Sequence, residues 1–107
     1  MKKILLIISA LMTVILMGCS VEHNAKQEVK KWLKDPDSAK FEHVKTVTYN
    51  GSAYVCGYVN AKNSFGAYKS QIPFYVQELQ GGHGLVVYME GNSFFSYLEY
   101  KEICDKT

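Results

Sequence analysis

The chain has no arginine: all twelve of its basic side chains are lysine. Nucleic-acid recognition draws on a basic footprint and on the planar, bidentate guanidinium. Neither is present, so a nucleic acid is not expected as a partner. Proline occurs only at Pro36 and Pro73 and tryptophan only at Trp32. Several chemical signatures are missing as well. No Gly-x-Ser-x-Gly motif surrounds a serine, and Gly81-Gly82-His83-Gly84 is not followed by the Lys-Ser or Lys-Thr of a phosphate cradle. His23, His43 and His83 are scattered, without the close Cys or His pairs that zinc sites use. Asp35 and Asp37 flank a proline, a place for capping rather than for a general acid and base. Ser38 has no histidine near it in sequence, and Cys56 is better placed to form a disulfide than to act as a nucleophile. The chain is therefore expected to be no enzyme, with no cofactor and no metal.

Hydrophobic runs are equally limited. The longest apolar stretch, Ile4 to Met17, is fourteen residues interrupted by Ser9 and Thr13. A membrane-spanning helix needs roughly 20. Lys2 and Lys3 precede the stretch, and Gly18 and Cys19 follow it. Charged start, short apolar middle and small residue before a cut are the order of a secretion signal. Residues 1–18 are read as that signal, residues 19–24 as a tether and residues 25–107 as one globular domain.

Leu16-Met17-Gly18-Cys19 resembles the bacterial lipobox, with Met17 where the pattern usually has a small residue. The resemblance implies that Cys19 carries a diacylglyceryl group and becomes the mature N-terminus. Two or more acyl chains hold a protein stably, whereas one does not. Ser20, in place of the Asp that retains some lipoproteins in the inner membrane, implies the outer membrane and its periplasmic face.

Loss of Lys2 and Lys3 with the signal leaves ten Lys against ten Asp plus Glu. The formal charge of +2 thus belongs to the signal. The mature part, about 89 residues, is small enough to need a staple. Only Cys56 and Cys104 remain for one, in an oxidising compartment. One disulfide is the simplest account, and a pair of buried thiols or a metal pair is the alternative. Its loop-closure contribution would be roughly 4 kcal/mol.

Ala25, Val29, Trp32 and Leu33 recur at helical spacing, with Lys26, Lys30, Lys31 and Lys34 largely off that stripe. This predicts an amphipathic helix over 22–34, ended by Asp35-Pro36. Asp35 would cap a short turn with Pro36 at its first position, and Phe41 would return to the core. Strands are predicted at 44–49 and 52–60, joined by Asn50-Gly51, the strongest two-residue hairpin signal. In the second strand Ala53, Val55 and Val59 alternate with Tyr54, Cys56 and Tyr58. Both faces are apolar, which predicts a central strand covered on each side. Ile72, Phe74 and Val76 alternate next, with Pro73 indicating an edge or a strand start. Leu85, Val87 and Met89 form a further strand. Residues 94–103 fit a strand on Phe95, Tyr97 and Glu99, or a helix on Phe94, Tyr97, Leu98 and Lys101. The strand, running into the disulfide, is preferred. The fold class is α+β: an N-terminal amphipathic helix on a small antiparallel sheet of four or five strands.

The loop from Asn60 to Tyr68 is the most individual segment. It is either a hairpin loop whose Asn side chains bond its own backbone, or a recognition surface. In the second case Phe65 and Tyr68 are the anchors, and Asn60, Lys62 and Asn63 the polar contacts.

Asp35-Pro36-Asp37-Ser38-Ala39-Lys40-Phe41 follows a helix. With Val55-Cys56-Gly57-Tyr58-Val59-Asn60-Ala61-Lys62-Asn63 and Gly66-Ala67-Tyr68, it resembles small lipoproteins and secreted proteins of bacteria, phages and prophages. The likeness covers about residues 29–76. It implies a protein that acts by binding. An outer-membrane protein is the expected partner, blocked by a phage or prophage superinfection-exclusion factor. The alternative is a host envelope binder, such as a lysozyme inhibitor or an accessory subunit of an outer-membrane machine.

Overall fold

Each strand pairs with its sequence neighbour. A computed structural model, which describes residues 21–80, 84–91 and 95–105, shows β1 (Lys40–Tyr49), β2 (Ser52–Asn60), β3 (Ile72–Glu78) and β4 (Leu85–Met89). They form one antiparallel meander in the order β1-β2-β3-β4. Residues 21–30 are helical (α1). The secretion signal, Cys19, His83 and Phe94 lie outside the described residues. None of the described helices is long and apolar enough to cross a membrane.

The β1–β2 hairpin follows directly from its turn chemistry. Asn50 and Gly51 have φ of 49° and 78°, the two positive values that a type I′ turn requires. Tyr49 is thereby set opposite Ser52. β1 begins earlier than the predicted residue 44, because a bulge between Glu42 and Lys45 lets the strand continue across His43. His43 has φ 53° there, and its ring meets Tyr58 edge-on.

β2 lies between β1 and β3 with both faces covered, as its double apolar pattern predicts. On one face Val55, Val59, Phe74, Val76, Val87 and Met89 pack with Ala25 and Val29 of α1. Val21, Leu33 and Phe41 join the edge of this cluster, and the Phe41 and Phe74 rings meet edge-to-face. Gly57 keeps the layer close: a Cβ there would lie 3.0 Å from both the Phe74 ring and a Val44 methyl. On the other face Val47, Cys56 and Tyr75 pack with Tyr100, Ile103 and Cys104.

Two local expectations are corrected and a third is narrowed. Residues 97–103 are not a strand. Tyr97–Tyr100 form a short helix, α2, which runs into a π-helical turn over Lys101–Asp105. Ser96 accepts the Glu99 N–H on its hydroxyl and the Tyr100 N–H on its carbonyl. Tyr100, Ile103 and Cys104 then face the sheet at helical spacing. Pro73 is not on an edge strand: β3 is internal, and Pro73 is its second residue, which keeps the strand-start reading. Asp35 precedes the 3-10 turn Pro36–Ser38 but makes no side-chain cap. Its carbonyl instead accepts from the Ser38 N–H and hydroxyl.

The disulfide Cys56–Cys104 is formed, with Cα atoms 6.0 Å apart and a sequence separation of 48. Both cysteines are buried. Lys45 reinforces the junction by donating to the Cys104 carbonyl at 2.5 Å.

Candidate functional site: an aromatic, lysine-rimmed cleft

At its C-terminal end α1 tightens. Lys31, Trp32 and Leu33 donate their N–H groups to Glu28, Val29 and Lys30, three residues back. The regular helix has ended by residue 30, so the stripe read from the sequence no longer applies beyond it. Leu33 still packs on the core, but Trp32 does not: it is 59% exposed. This corrects its expected core position. Trp32 stands at the rim of a cleft of about 380 Å³. Leu33, Ile72 and Met89 give that cleft an apolar lining, and Lys34, Lys62 and Lys69 outnumber its one carboxylate, Glu90.

The loop after β2 forms a second wall. Asn63 organises it. Its side-chain oxygen accepts from Phe65 N at 2.9 Å and Ala67 N at 3.2 Å. Its own N–H and carbonyl bond Ala67 and Gly66. This is the self-bonded loop weighed in the sequence, and it leaves Phe65 at the tip, 94% exposed. Tyr68 pairs with Lys62 across the loop and donates its hydroxyl to the Ser38 carbonyl at 2.9 Å. The Lys40 ammonium lies 4.3 Å from the Tyr68 ring centroid and that of Lys62 5.8 Å, both at cation–π range. Asn60 is half-buried at the end of β2, and its Oδ1 is buried without a hydrogen-bond partner among the described residues.

Ser38 joins the two walls. Its hydroxyl accepts from Lys62 N at 2.8 Å and donates to the Asp35 carbonyl at 2.8 Å. Residues 35–41 and 55–68 are thus stitched together through one serine. In this chain Ser38, Gly57, Asn63 and Tyr68 have structural work: a crosslink, a close approach, a loop and a brace.

Of the five loop residues proposed from sequence, Lys62 and Asn63 line the cleft and Phe65 projects into solvent. Tyr68 is braced at 37% exposure, and Asn60 does not line the cleft. Sequence reasoning missed Trp32, Lys34, Lys69 and Glu90. The available signal for Trp32 was its place three residues before the Asp35-Pro36 terminator, where a helical stripe runs out. Among the described residues no three His, Cys, Asp or Glu side chains gather as a metal set.

These features define a class: a small, disulfide-stapled α+β domain with an apolar, lysine-rimmed cleft at the end of its helix. No protein-family model, curated protein or solved structure matches the chain.

Proposed function

We propose that this protein acts by binding rather than catalysis, and that the cleft beside Trp32 and Phe65 is its contact surface. The observation that carries the reading is the placing of the chain's only tryptophan. Fully burying a large aromatic side chain is worth several times RT. Trp32 instead stands mostly exposed beside an apolar cleft, with Phe65 projecting from the neighbouring loop. Tryptophan is the residue type most enriched among interface hot spots. Three lysines against one glutamate around the cleft favour an acidic partner surface.

The sequence adds the compartment. The signal at residues 1–18 and lipidation at Cys19 tether the domain to the periplasmic face of the outer membrane. In that position it meets the periplasmic side of an outer-membrane protein. The fuller reading is a phage or prophage superinfection-exclusion factor that blocks a receptor from within.

The test is phage challenge of a sensitive host expressing the full chain. Protection is expected, and is expected to be lost in Trp32→Ala/Phe65→Ala with the melting temperature unchanged. A loss of about 2 kcal/mol or more in partner affinity is expected if either ring is a hot spot. Retained protection in a folded double variant refutes the cleft as the contact. Cys19→Ser, assayed with a palmitate analogue, tests the anchor: label retained on the serine variant refutes lipidation there.

A further inference from the structure

The opposite face of the sheet carries a second cleft of different chemistry. Its volume is about 360 Å³, and it is lined by Tyr49, Tyr54, Tyr75 and Tyr88 together with Glu99 and Glu102. No lysine or histidine is among its described lining residues. The rings form one contiguous cluster, with Tyr75 buried and Tyr49, Tyr54 and Tyr88 half-buried around it. Tyr75 and Tyr88 stack at 4.7 Å and 11°. Tyr54 leans on Tyr75 at 6.3 Å, and Tyr49 meets Tyr54 at 6.3 Å. Glu99 is fixed at the rim by the Tyr75 hydroxyl, which donates to it at 2.9 Å.

We propose that this tyrosine cleft binds an organic cation, an alkylammonium or guanidinium group seated against the half-buried rings of Tyr49, Tyr54 and Tyr88 and countered by Glu99. Tyrosine faces carry negative quadrupole charge and attract cations, most strongly where water is displaced. The Glu99 carboxylate adds charge of the same sign. The Tyr54 hydroxyl responds to the same surroundings. Burial, the neighbouring Tyr88, the Glu99 carboxylate and Tyr49 together push its hydroxyl above the usual value of 10.0. A phenolate is therefore disfavoured in the cleft. The Glu99 carboxylate would oppose an anion in the same way and attract a cation, whereas burial disfavours a charge of either sign. This inference does not depend on the function proposed for the lysine-rimmed cleft, which lies on the α1 side of the sheet.

Calorimetric titration of the full chain tests it. Choline is compared with 3,3-dimethyl-1-butanol, which has nearly the same shape and no charge, and with N-acetyl-arginine amide. Choline or the arginine derivative is expected to bind about tenfold or more tightly than the neutral alcohol. Preference for choline identifies a methylated ammonium compound as the ligand. Preference for the arginine derivative identifies a basic side chain. Glu99→Gln keeps an acceptor for the Tyr75 hydroxyl but removes the charge, and should weaken the preferred cation about threefold or more. Tyr54→Leu should weaken it further, with an unchanged circular dichroism spectrum showing that the fold persists. Equal binding of cation and alcohol, no binding of either cation, or an unaffected Glu99→Gln overturns the proposal.

Discussion

The two faces of the sheet are covered by different means. The α1 face is aliphatic: Val55, Val59, Val76, Val87 and Met89 surround Phe74 and meet Ala25 and Val29. The other face is aromatic: Tyr75 and Tyr100 are buried there, with Tyr49, Tyr54, Tyr58, Tyr88 and Phe95 half-buried around them. Area burial by a regular amphipathic helix suffices for the first. Over the second the chain lays only α2 and one π-helical turn, four and five residues long. Helices of that length do not hold by themselves in water. The disulfide ties this cover to the central strand β2. Tyrosine suits a layer that is only partly closed, since the ring covers apolar surface while the hydroxyl stays satisfied at its rim. Tyr75 bonds Glu99 and Tyr97 bonds Glu90 in this way. One sheet thus shows a dry face that closes by packing and a wetter face that closes by a covalent link.

The largest effect should come from opening the dry face. Phe74 has no exposed surface and is met by Phe41 and Gly57. Phe74→Ala should cost about 3–5 kcal/mol, read as the urea midpoint. That is most or all of the stability of a domain at the low end of the ordinary range, about 5 kcal/mol. Removing the staple should come next. Cys56→Ser releases a loop with a separation of 48 residues, for which loop closure predicts a loss of up to about 4 kcal/mol. The two variants should also differ in kind. In the serine variant, amide exchange should accelerate first at Ile103 and Cys104, with Ala25 and Val29 of α1 still protected. Equal acceleration on both faces would show that the disulfide supports the whole fold rather than one cover. In the native protein, alkylation should find no free thiol at Cys56 or Cys104.

The wetter face should also respond to alkali, more gently. Burial, followed by the hydrogen bond to Glu99, raises the Tyr75 hydroxyl far above its usual 10.0. Burial and the hydrogen bond with Tyr58 do the same for Tyr100. In the unfolded chain these phenols ionise near pH 10. The folded state holds their protons to higher pH, so above about pH 10 it binds more protons than the unfolded state. Their contribution is therefore complete below that pH and is lost as pH rises toward the folded values. The urea midpoint should fall between pH 9 and pH 11 (about one unit either side of the value for a free phenol), and Tyr75→Phe should flatten the fall. A midpoint independent of pH over that span would remove the hydroxyls from the account of this face.

How much of this was legible in the sequence follows the same division. β2 showed its central position because Val55 and Val59 alternate with Tyr54, Cys56 and Tyr58, and only a strand covered on both sides needs that pattern. Asn50-Gly51 fixed the hairpin because few other pairs accept two positive φ values. The cover of the aromatic face was harder to read. Phe95, Tyr97 and Glu99 mimic a strand, and a nine-residue helical segment is too short for periodicity to settle the matter. The better signal was Ser96-Tyr97-Leu98-Glu99, the S-x-x-E pattern of a helix start. The loop at 60–68 could be located but not resolved into roles. Nothing local indicates that Tyr68 reaches Ser38, thirty residues earlier in the chain. Trp32 was misplaced because helical spacing was extended past the last regular turn. The most exposed aromatic residues among those described therefore include one, Phe65, that the sequence suggested as a contact and one, Trp32, that its helical stripe turned toward the core.

The smallest effect on stability is expected at Phe65, and it completes the comparison because the chemical change repeats that at Phe74. Phe74 has 0% exposure and Phe65 has 94%. Truncating Phe65 to alanine removes almost no buried area, and its loop is held by Asn63 rather than by the ring. A change within about 0.5 kcal/mol is expected in the urea midpoint, as for surface substitutions in general. The loop's amide signals should keep their positions. A substantial loss of stability would mean that the ring is buried in solution by something the isolated chain supplies, such as a second copy, and the midpoint would then depend on protein concentration. With the expected near-neutral outcome, Phe65→Ala becomes a clean probe of function. Any loss of phage protection or partner capture in that variant is a loss of contact, since no loss of fold accompanies it. Unimpaired function would move the contact along the cleft to Trp32, whose substitution can then be judged by the same two readouts.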